Sequence, residues 1–442
     1  MIVGGGAAGT LAAIELLNRC AAREVVLVER SGALGEGVAY STRDDRHLLN
    51  LPAAAMSVPA GDPGHFGRWL GQSSRSEVDP GSFVPRRRYG EYLRAMLARA
   101  ASRQGGAVRL EIIRAAALAA RSHPAGAEIE LGDGRTLAAR CAVIAIGQLS
   151  AYAPWSGASG LSRSERYVAD PWRPGALDRV GAGDRVVLAG SGLTMADVAI
   201  SLAGRGTRLL AVSRHGLTPL AHARTPAPGL AREWAPGGRL VDLARALRRE
   251  AETADDWRSV VDSVRPQAQE LWRSLSLEGQ EQFMRHARRY WEAHRHRMAP
   301  EAARELERLI ADGRLALRAG TILTVREGPD ALEISFRPRS GTRRETLSAS
   351  FLVNCTGTID AAPQPLVVSL LRQGLARPDA HRLGLAVTGE GELLGARGAQ
   401  ESLIALGALR RGTLWETTAI AEIHAQAVSL AALLVRRRVA AS

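Results

Sequence analysis

Apolar and polar positions along this chain switch between two periods, and glycine marks the places where they switch. Residues 1–3 are apolar, Gly4, Gly5 and Gly6 follow, an Ala/Leu-rich run after Gly9 suits a helix, and residues 24–28 suit a second buried strand. Strand, tight turn, helix and strand in that order make a βαβ unit. The same order returns later: an apolar run at 184–189, the turn Gly190-Ser191-Gly192, a helix-compatible segment, and an apolar run at 207–213.

Between and after these units the pattern predicts further pieces. Residues 66–70 and 89–101 read as helical, the latter with Tyr89, Leu93, Met96, Leu97 and Ala100 at helical spacing. Residues 108–117, 127–131 and 136–139 alternate, with Gly132, Asp133 and Gly134 as a hairpin turn. Residues 141–146 form a buried strand ending at Gly147, and 351–355 form its counterpart ending at Gly357, after strands at 332–336 and 346–349 around Gly341. Residues 238–252, 255–271 and 278–296 carry helical periodicity dense in Arg and Glu, with Trp257, Trp272 and Trp291 expected to share a small core. The predicted fold class is α/β: two Rossmann-like dinucleotide-binding domains with a helical insertion. Residues 1–150 and 355–442 make the first domain, with a small β insertion around 105–140. Residues 151–354 make the second, and 235–311 are the insertion, placed to wall a substrate pocket.

The chemistry follows from the turns. Gly4 permits the first turn, Gly6 lets a pyrophosphate approach bare backbone, and Gly9 lets the helix pack closely on the strand. Glu29, followed by Arg30, stands where a carboxylate accepts hydrogen bonds from an adenosine ribose. In the second unit Gly190, Gly192 and Thr194 form the turn, while Met195 stands in the third glycine position. Arg214 and His215 replace the acid at the end of the next strand. A cation there suits a 2′-phosphate and favours NADPH over NADH. The glycine- and proline-rich loop at 32–63, containing His47 to Asn50 and then Met56 and Ser57, is long enough to cover a cofactor.

Composition narrows the class. At 442 residues the chain exceeds one typical domain, and no apolar run approaches a membrane span. The three cysteines, Cys20, Cys141 and Cys355, are far apart, which argues against a disulfide scaffold and against a thiol reductase with a Cys-x-x-Cys pair. The formal charge of +13, from 58 basic and 45 acidic residues, suits nucleic acid, phosphorylated cofactors and anionic substrates equally, and is also what arginine-rich coding gives. Aromatic residues are only 4%, with no zinc-finger spacing, so nucleic acid is not an expected partner, nor is a membrane. With the first strand at residues 1–3, neither a secretory leader nor export is expected, and a cytoplasmic location is.

Nearly the whole chain resembles the two-dinucleotide-domain flavoproteins, more closely the FAD-NAD(P)-binding family, which is similar to class B and N-hydroxylating flavin monooxygenases. The resemblance rests on Gly4, Gly6, Gly9 and Glu29, on 37–40 running to 47–50, on Met56-Ser57, on Gly190, Gly192, Thr194 and Asp197, and on the segment from Gly407 through Arg411, Gly412, Trp415, Glu416 and Thr417. It implies FAD in the first unit, with Asn50, Met56 and Ser57 lining the isoalloxazine or ribityl chain, and Gly412, Trp415 and Thr417 bringing a helix N-terminus to the flavin. One departure is that no acid follows Gly407, where many members of the superfamily carry one. The implied activity is an FAD-dependent NADPH oxidoreductase, a monooxygenase working on a small molecule with molecular oxygen through a C4a-(hydro)peroxyflavin. The alternative is a reductase or dehydrogenase without oxygen insertion.

No catalytic residue is identified by pattern. His47, Asn50 and His222 are the candidates, His47 more readily as a structural or flavin-contact residue and His222 as a solvated residue of the loop 219–228. His286, His294 and His296 lack the companions of a metal site, so no metal is expected. Arg87 and Arg88 read as a solvated charge run.

Overall fold

The computed structural model describes all residues except 59–61, 75–76, 104–107, 150–152, 154, 225–228, 358–363 and 441–442. The expected domain junction at 150/151 and part of the loop 219–228 thus lie outside the described residues.

The chain opens with strand β1 (Ile2–Val3), helix α1 (Ala7–Asn18) and strand β2 (Glu24–Val28). β1 pairs in parallel with β2, Ile2 opposite Leu27. Helices α2 (Gly37–Tyr40), α3 (His65–Ser74) and α4 (Arg86–Arg103) precede β3 (Arg109–Ile113), which adds to β2. Strands β4 (Ala117–His123), β5 (Gly126–Leu131) and β6 (Thr136–Ala139) form a separate antiparallel meander, and β7 (Ala142–Ile144) returns beside β1. The alternation at 108–117 is therefore two strands in two different sheets. Its register breaks near 114–116, where the chain leaves the parallel sheet.

β8 (Tyr167–Val168), β9 (Arg185–Ala189), α5 (Leu193–Ala203) and β10 (Arg208–Ser213) build the second unit. The insertion follows: α6 (Leu240–Thr253), α7 (Trp257–Val264), α8 (Ala268–Ser274), α9 (Leu277–Gln282), a π-helical turn Phe283–Ala287, and α10 (Arg288–Arg295). After α11 (Pro300–Ala311) comes β11 (Leu315–Glu327), which no periodicity marked. Its first half is parallel to β10 and its second half antiparallel to β12 (Leu332–Pro338), so neither a continuous apolar run nor a clean alternation covers it. β13 (Glu345–Ala349) and β14 (Phe351–Asn354) complete a seven-stranded sheet in the order β13-β12-β11-β10-β9-β14-β8.

The chain then passes through α12 (Pro365–Arg372) to β15 (Glu392–Gly395) and β16 (Gly398–Ala405), which join the first sheet in the order β15-β16-β7-β1-β2-β3. Helix α13 (Ile420–Ala440) lies on α1. These are two Rossmann-like sheets with helical insertions. Both faces of the first sheet are covered, by α1, α4 and α13 on one side and by α12 and the meander on the other, which is why Ile2, Leu27 and Ile144 are fully buried.

The insertion core differs from expectation. Its centre is Trp234 with Val260, Val264 and Leu271, and Trp291 only borders it. Trp272 turns away to pack on Trp415, and Trp257 lies under Arg258 and Arg297. Aromatic spacing alone does not reveal which neighbour a helix face meets. Among the described residues no helix is long and apolar enough to cross a membrane.

Candidate functional site

Helix α1 begins after Gly6 with no side-chain cap and no acid in its first turn. Its leading N–H groups therefore remain available to an anion. Gly4 has φ of 104° and donates its N–H to the Val28 carbonyl, and a Cβ at Gly9 would lie 1.8 Å from the Gly4 oxygen. Only glycine allows that approach of helix to strand. A Cβ on Gly6 would meet the Gly37 Cα at 3.3 Å, so two stretches of bare backbone face one another across a cradle that suits a pyrophosphate.

Glu29 follows β2 and folds back on the turn. Its Oε2 accepts the Gly5 N–H at 2.7 Å, and Oε1 accepts from the Ser31 N–H at 2.9 Å and hydroxyl at 2.8 Å. Arg30 points to solvent. Thr10, missed by the glycine pattern, ties the turn together: its hydroxyl donates to the Gly5 carbonyl at 3.0 Å and accepts the Gly35 N–H at 3.1 Å.

The second turn repeats the plan. Gly190 has φ of 116°, and a Cβ there would lie 2.4 Å from the Cys355 oxygen, just as one on Gly4 would lie 2.5 Å from the Ala145 oxygen. Gly192 caps α5 with no side-chain hydrogen bond and faces open space, and Thr194 is half-buried in the first helical turn. Met195 is fully buried in the second core. Arg214 is exposed directly after β10, and Arg289 of α10 reaches His215 beside it. Burial and the neighbouring Arg214 both lower the pKa of Arg289. This basic cluster spans 75 residues of sequence, so no local motif could have announced Arg289.

The loop at 32–63 touches the second unit. The His47 ring is 5% exposed, with Nδ1 2.7 Å from the Thr42 hydroxyl and Nε2 2.8 Å from the Ser201 hydroxyl. Ser201 also donates to Asp44 at 2.7 Å, and Arg46 donates to the Ile200 carbonyl at 3.0 Å. Arg86 forms a buried ion pair with Asp197 of α5. Burial lowers the pKa of His47 despite Asp197 and Asp44, and burial raises that of Asp197 against the pull of Arg86. His47 is thus a contact between the units. In the run of three arginines, Arg87 pairs with Asp45 and Glu91 and Arg88 with Glu91, while the inward residue is Arg86.

His222 is not solvated. Its Nε2 donates to the Asn50 carbonyl at 2.9 Å, its ring meets Phe83 at 5.3 Å, and burial together with Arg297 lowers its pKa to about 4. The loop is held inward because Leu220 and His222 pair by backbone with Ala293 and Met298. Met56 is 2% exposed in the first core, and the Ser57 hydroxyl accepts the Phe66 N–H at 3.0 Å while donating to Pro63 at 2.7 Å. These two residues fix the loop that carries Asn50.

The closing segment lies over the start of α1, where a Cβ on Gly407 would meet that of Ala8 at 3.3 Å. Thr417, 1% exposed, donates to the Gly407 carbonyl at 2.8 Å and accepts from Gln426, which also takes the Gly407 N–H. Gln426 therefore organises the segment that lacks the acid after Gly407. The Gly412 carbonyl accepts the Trp272 indole N–H at 3.0 Å, and Trp415 packs between Trp272 and Phe283. The insertion and the closing segment are also joined by charge: Arg295 and Glu416, both nearly fully buried, lie 3.8 Å apart, and Arg265 holds Glu422 at 2.6 Å.

The profile of the FAD-NAD(P)-binding family matches residues 1–149. An uncharacterised protein of Mycobacterium tuberculosis is 26% identical over 402 residues, covering 80% of this chain and 73% of its own length. Ornithine hydroxylase from Pseudomonas aeruginosa has a similar fold, with a TM-score of 0.66 at 15% identity over 99% of this chain and 98% of its own. Bacillithiol disulfide reductase from Bacillus cereus shares the fold at a TM-score of 0.57 and 13% identity, over 99% and 98% of the two chains. Two glycine cradles on two Rossmann-like sheets agree with the match of residues 1–149 to the FAD-NAD(P)-binding family and with the fold the chain shares with ornithine hydroxylase and bacillithiol disulfide reductase.

Proposed function

We propose that the chain is an FAD-dependent NADPH oxidoreductase acting as a monooxygenase on a small molecule, with molecular oxygen as co-substrate. The observation that carries this reading is the pairing of two like-built cradles that end in opposite charge, Glu29 at one and Arg214 with His215 and Arg289 at the other. Residues 1–150 and 355–442 would hold FAD and 151–354 NADPH, with 235–311 walling the substrate pocket.

Gly4, Gly6, Gly9 and the open end of α1 would receive the FAD pyrophosphate, with Glu29 on the ribose and Arg30 at the rim. Asn50 would line the ring side; Met56 and Ser57 would act by holding its loop, and Thr417 by fixing the closing segment beside Gly412 and Trp415. Gly190, Gly192 and Thr194 would take the NADPH pyrophosphate, and Arg214 the 2′-phosphate. Bound flavin supplies hydride acceptance and oxygen chemistry, while the protein supplies placement and electrostatics. His222, kept uncharged by burial and Arg297, anchors Asn50 rather than carrying positive charge to the ring. Against a thiol reductase stand the cysteines: Cys20 follows α1 and is exposed, Cys141 precedes β7 and is half-buried, and Cys355 follows β14 and is buried, so no two of them make a Cys-x-x-Cys pair.

The test is stoichiometric. With amines, amino acids and aromatic acids screened in air, a true substrate should draw peroxide release well below the NADPH consumed as oxygen enters product. Peroxide matching NADPH for every compound, with rapid reduction of added electron acceptors, would point to a reductase. Arg214→Ala should raise the KM for NADPH roughly tenfold or more, from the loss of a charge-assisted hydrogen bond, and leave that for NADH nearly unchanged. Equal effects would remove the phosphate assignment.

A further inference from the structure

The helical insertion touches both nucleotide units, and its contact with the second has the character of an unfinished anion site. The π-helical turn Phe283–Ala287 resets the phase of the helix immediately before α10, a device often found at functional sites. Beyond it, Arg289 donates through Nη1 to the His215 Nε2. A guanidinium has no acceptor, so Nε2 is the unprotonated ring nitrogen and the proton sits on Nδ1. That Nδ1 is buried without a hydrogen-bond partner, and so is the Arg289 Nε. Two buried donors thus lack an acceptor at one place. Among the described residues neither Arg214 nor Arg289 forms an ion pair, although the chain pairs most of its interior arginines.

An apolar platform adjoins these donors. Tyr290 is 48% exposed with its ring 6.5 Å from that of His215, and Leu217 is 37% exposed on the loop after β10. The cluster is coupled to the glycine turn as well, because the Ser191 and Ser213 hydroxyls lie 2.7 Å apart and Ser213 also receives the Gly216 N–H at 3.0 Å. Unpaired cations and orphan N–H donors beside an exposed aromatic ring call for a phosphate attached to a flat heterocycle.

We infer that the adenosine 2′-phosphate end of NADPH is held between the end of β10 and the helical insertion, with Arg289 and Tyr290 as the specificity-determining residues that the insertion contributes. This rests on the reading that the second turn binds a nicotinamide dinucleotide. Arg289 Nε and His215 Nδ1 donate to the phosphate opposite Arg214, and Tyr290 stacks on the adenine. Two and three residues after Arg289, α10 meets the closing segment: the Trp291 indole donates to Glu416 at 3.1 Å, and Glu292 accepts from Arg411 at 3.1 Å. A single helix therefore carries the coenzyme's phosphate on one face and the flavin-side segment on another.

Calorimetric titration of the FAD-loaded protein with NADP⁺ and NAD⁺ tests this. Arg289→Gln should raise the Kd for NADP⁺ about tenfold and leave NAD⁺ within twofold, with Arg289→Lys partly restoring NADP⁺. Tyr290→Ala should weaken both coenzymes by a similar factor, since both carry adenine. If Arg214→Ala weakens NADP⁺ while Arg289→Gln and Tyr290→Ala do not, the insertion has no part in the site and the inference falls while the dinucleotide reading stands. If the unaltered protein binds neither coenzyme, that reading itself fails. If inorganic phosphate binds as tightly as NADP⁺, is lost in Arg289→Gln, and Tyr290→Ala affects neither coenzyme, the cluster is a free-anion site and the inference is overturned.

Discussion

The two glycine turns share their first two glycines and part at the residue between them and at the third position. Gly4 and Gly190 both press on the carbonyl just past a returning strand, Ala145 after β7 and Cys355 after β14, within 0.1 Å of the same spacing, 2.5 and 2.4 Å for an added Cβ. At the third position Gly9 leaves no room for a side chain, whereas Met195 is fully buried and fills a space between α5 and its sheet. Between the first two glycines, Gly5 leaves its N–H to Glu29, while Ser191 uses a hydroxyl to reach Ser213 and the Leu217 carbonyl. The first glycine is demanded by the sheet, which both units share. The third is demanded by how closely the helix lies, which they do not.

The largest effect that would break this comparison is at the paired contacts. Gly9→Val should drive a side chain into the Gly4 carbonyl, lowering stability by about 3 kcal/mol or more and leaving the purified protein without flavin absorbance. Gly190→Ala, strained by its positive φ and by the Cys355 carbonyl, should abolish nicotinamide-coenzyme binding while flavin is retained. Loss of flavin from both variants would show that the units do not bind independently.

A smaller effect concerns the contact between units. His222 bonds the Asn50 carbonyl across it and has a pKa lowered from 6.5 to about 4, by burial first and then by Arg297. A depressed histidine pKa stabilises the fold above its ordinary value, and that contribution is lost as pH falls from about 6.5 towards 4. His47, lowered by burial in the same contact, acts in the same direction. Melting temperature should therefore fall between pH 7 and pH 5, by roughly 2 kcal/mol of stability for His222, and His222→Gln should flatten the curve. An unchanged slope in that variant would remove His222 from the account.

The smallest effect sharpens the comparison. Ser191→Gly converts the second turn to the Gly-Gly-Gly of the first, and should cost about 1 kcal/mol through the lost hydroxyl contacts. It should weaken NADP⁺ more than twofold if the Ser191–Ser213 link steadies the Arg214 loop, as measured by thermal shift with and without the coenzyme.

What was legible in the sequence was what backbone geometry requires locally. Gly4, Gly9 and Gly190 could be read because no other residue tolerates those conformations and approaches, and Glu29 and Arg214 because each stands at a fixed step after a strand. Met56 and Ser57 were legible as parts of a special loop, but not as its core and its cap. β11 was hidden because it changes both partner and pairing direction midway. His222 was misplaced because a polar loop gives no sign that its backbone pairs with Ala293 and Met298.

The sequence by itself determined two strand–turn–helix units, the charge at the end of each, and the absence of a paired-thiol motif, since these depend on neighbouring residues and on φ. The tertiary structure alone decided that Arg86 finds Asp197, that Gln426 organises the closing segment, and that Arg289 joins Arg214 and His215. Those contacts bring together residues about seventy or more positions apart in two cases and nearly twenty in the third, and their partners are chosen by the packing of whole helices against sheets, which no local periodicity encodes.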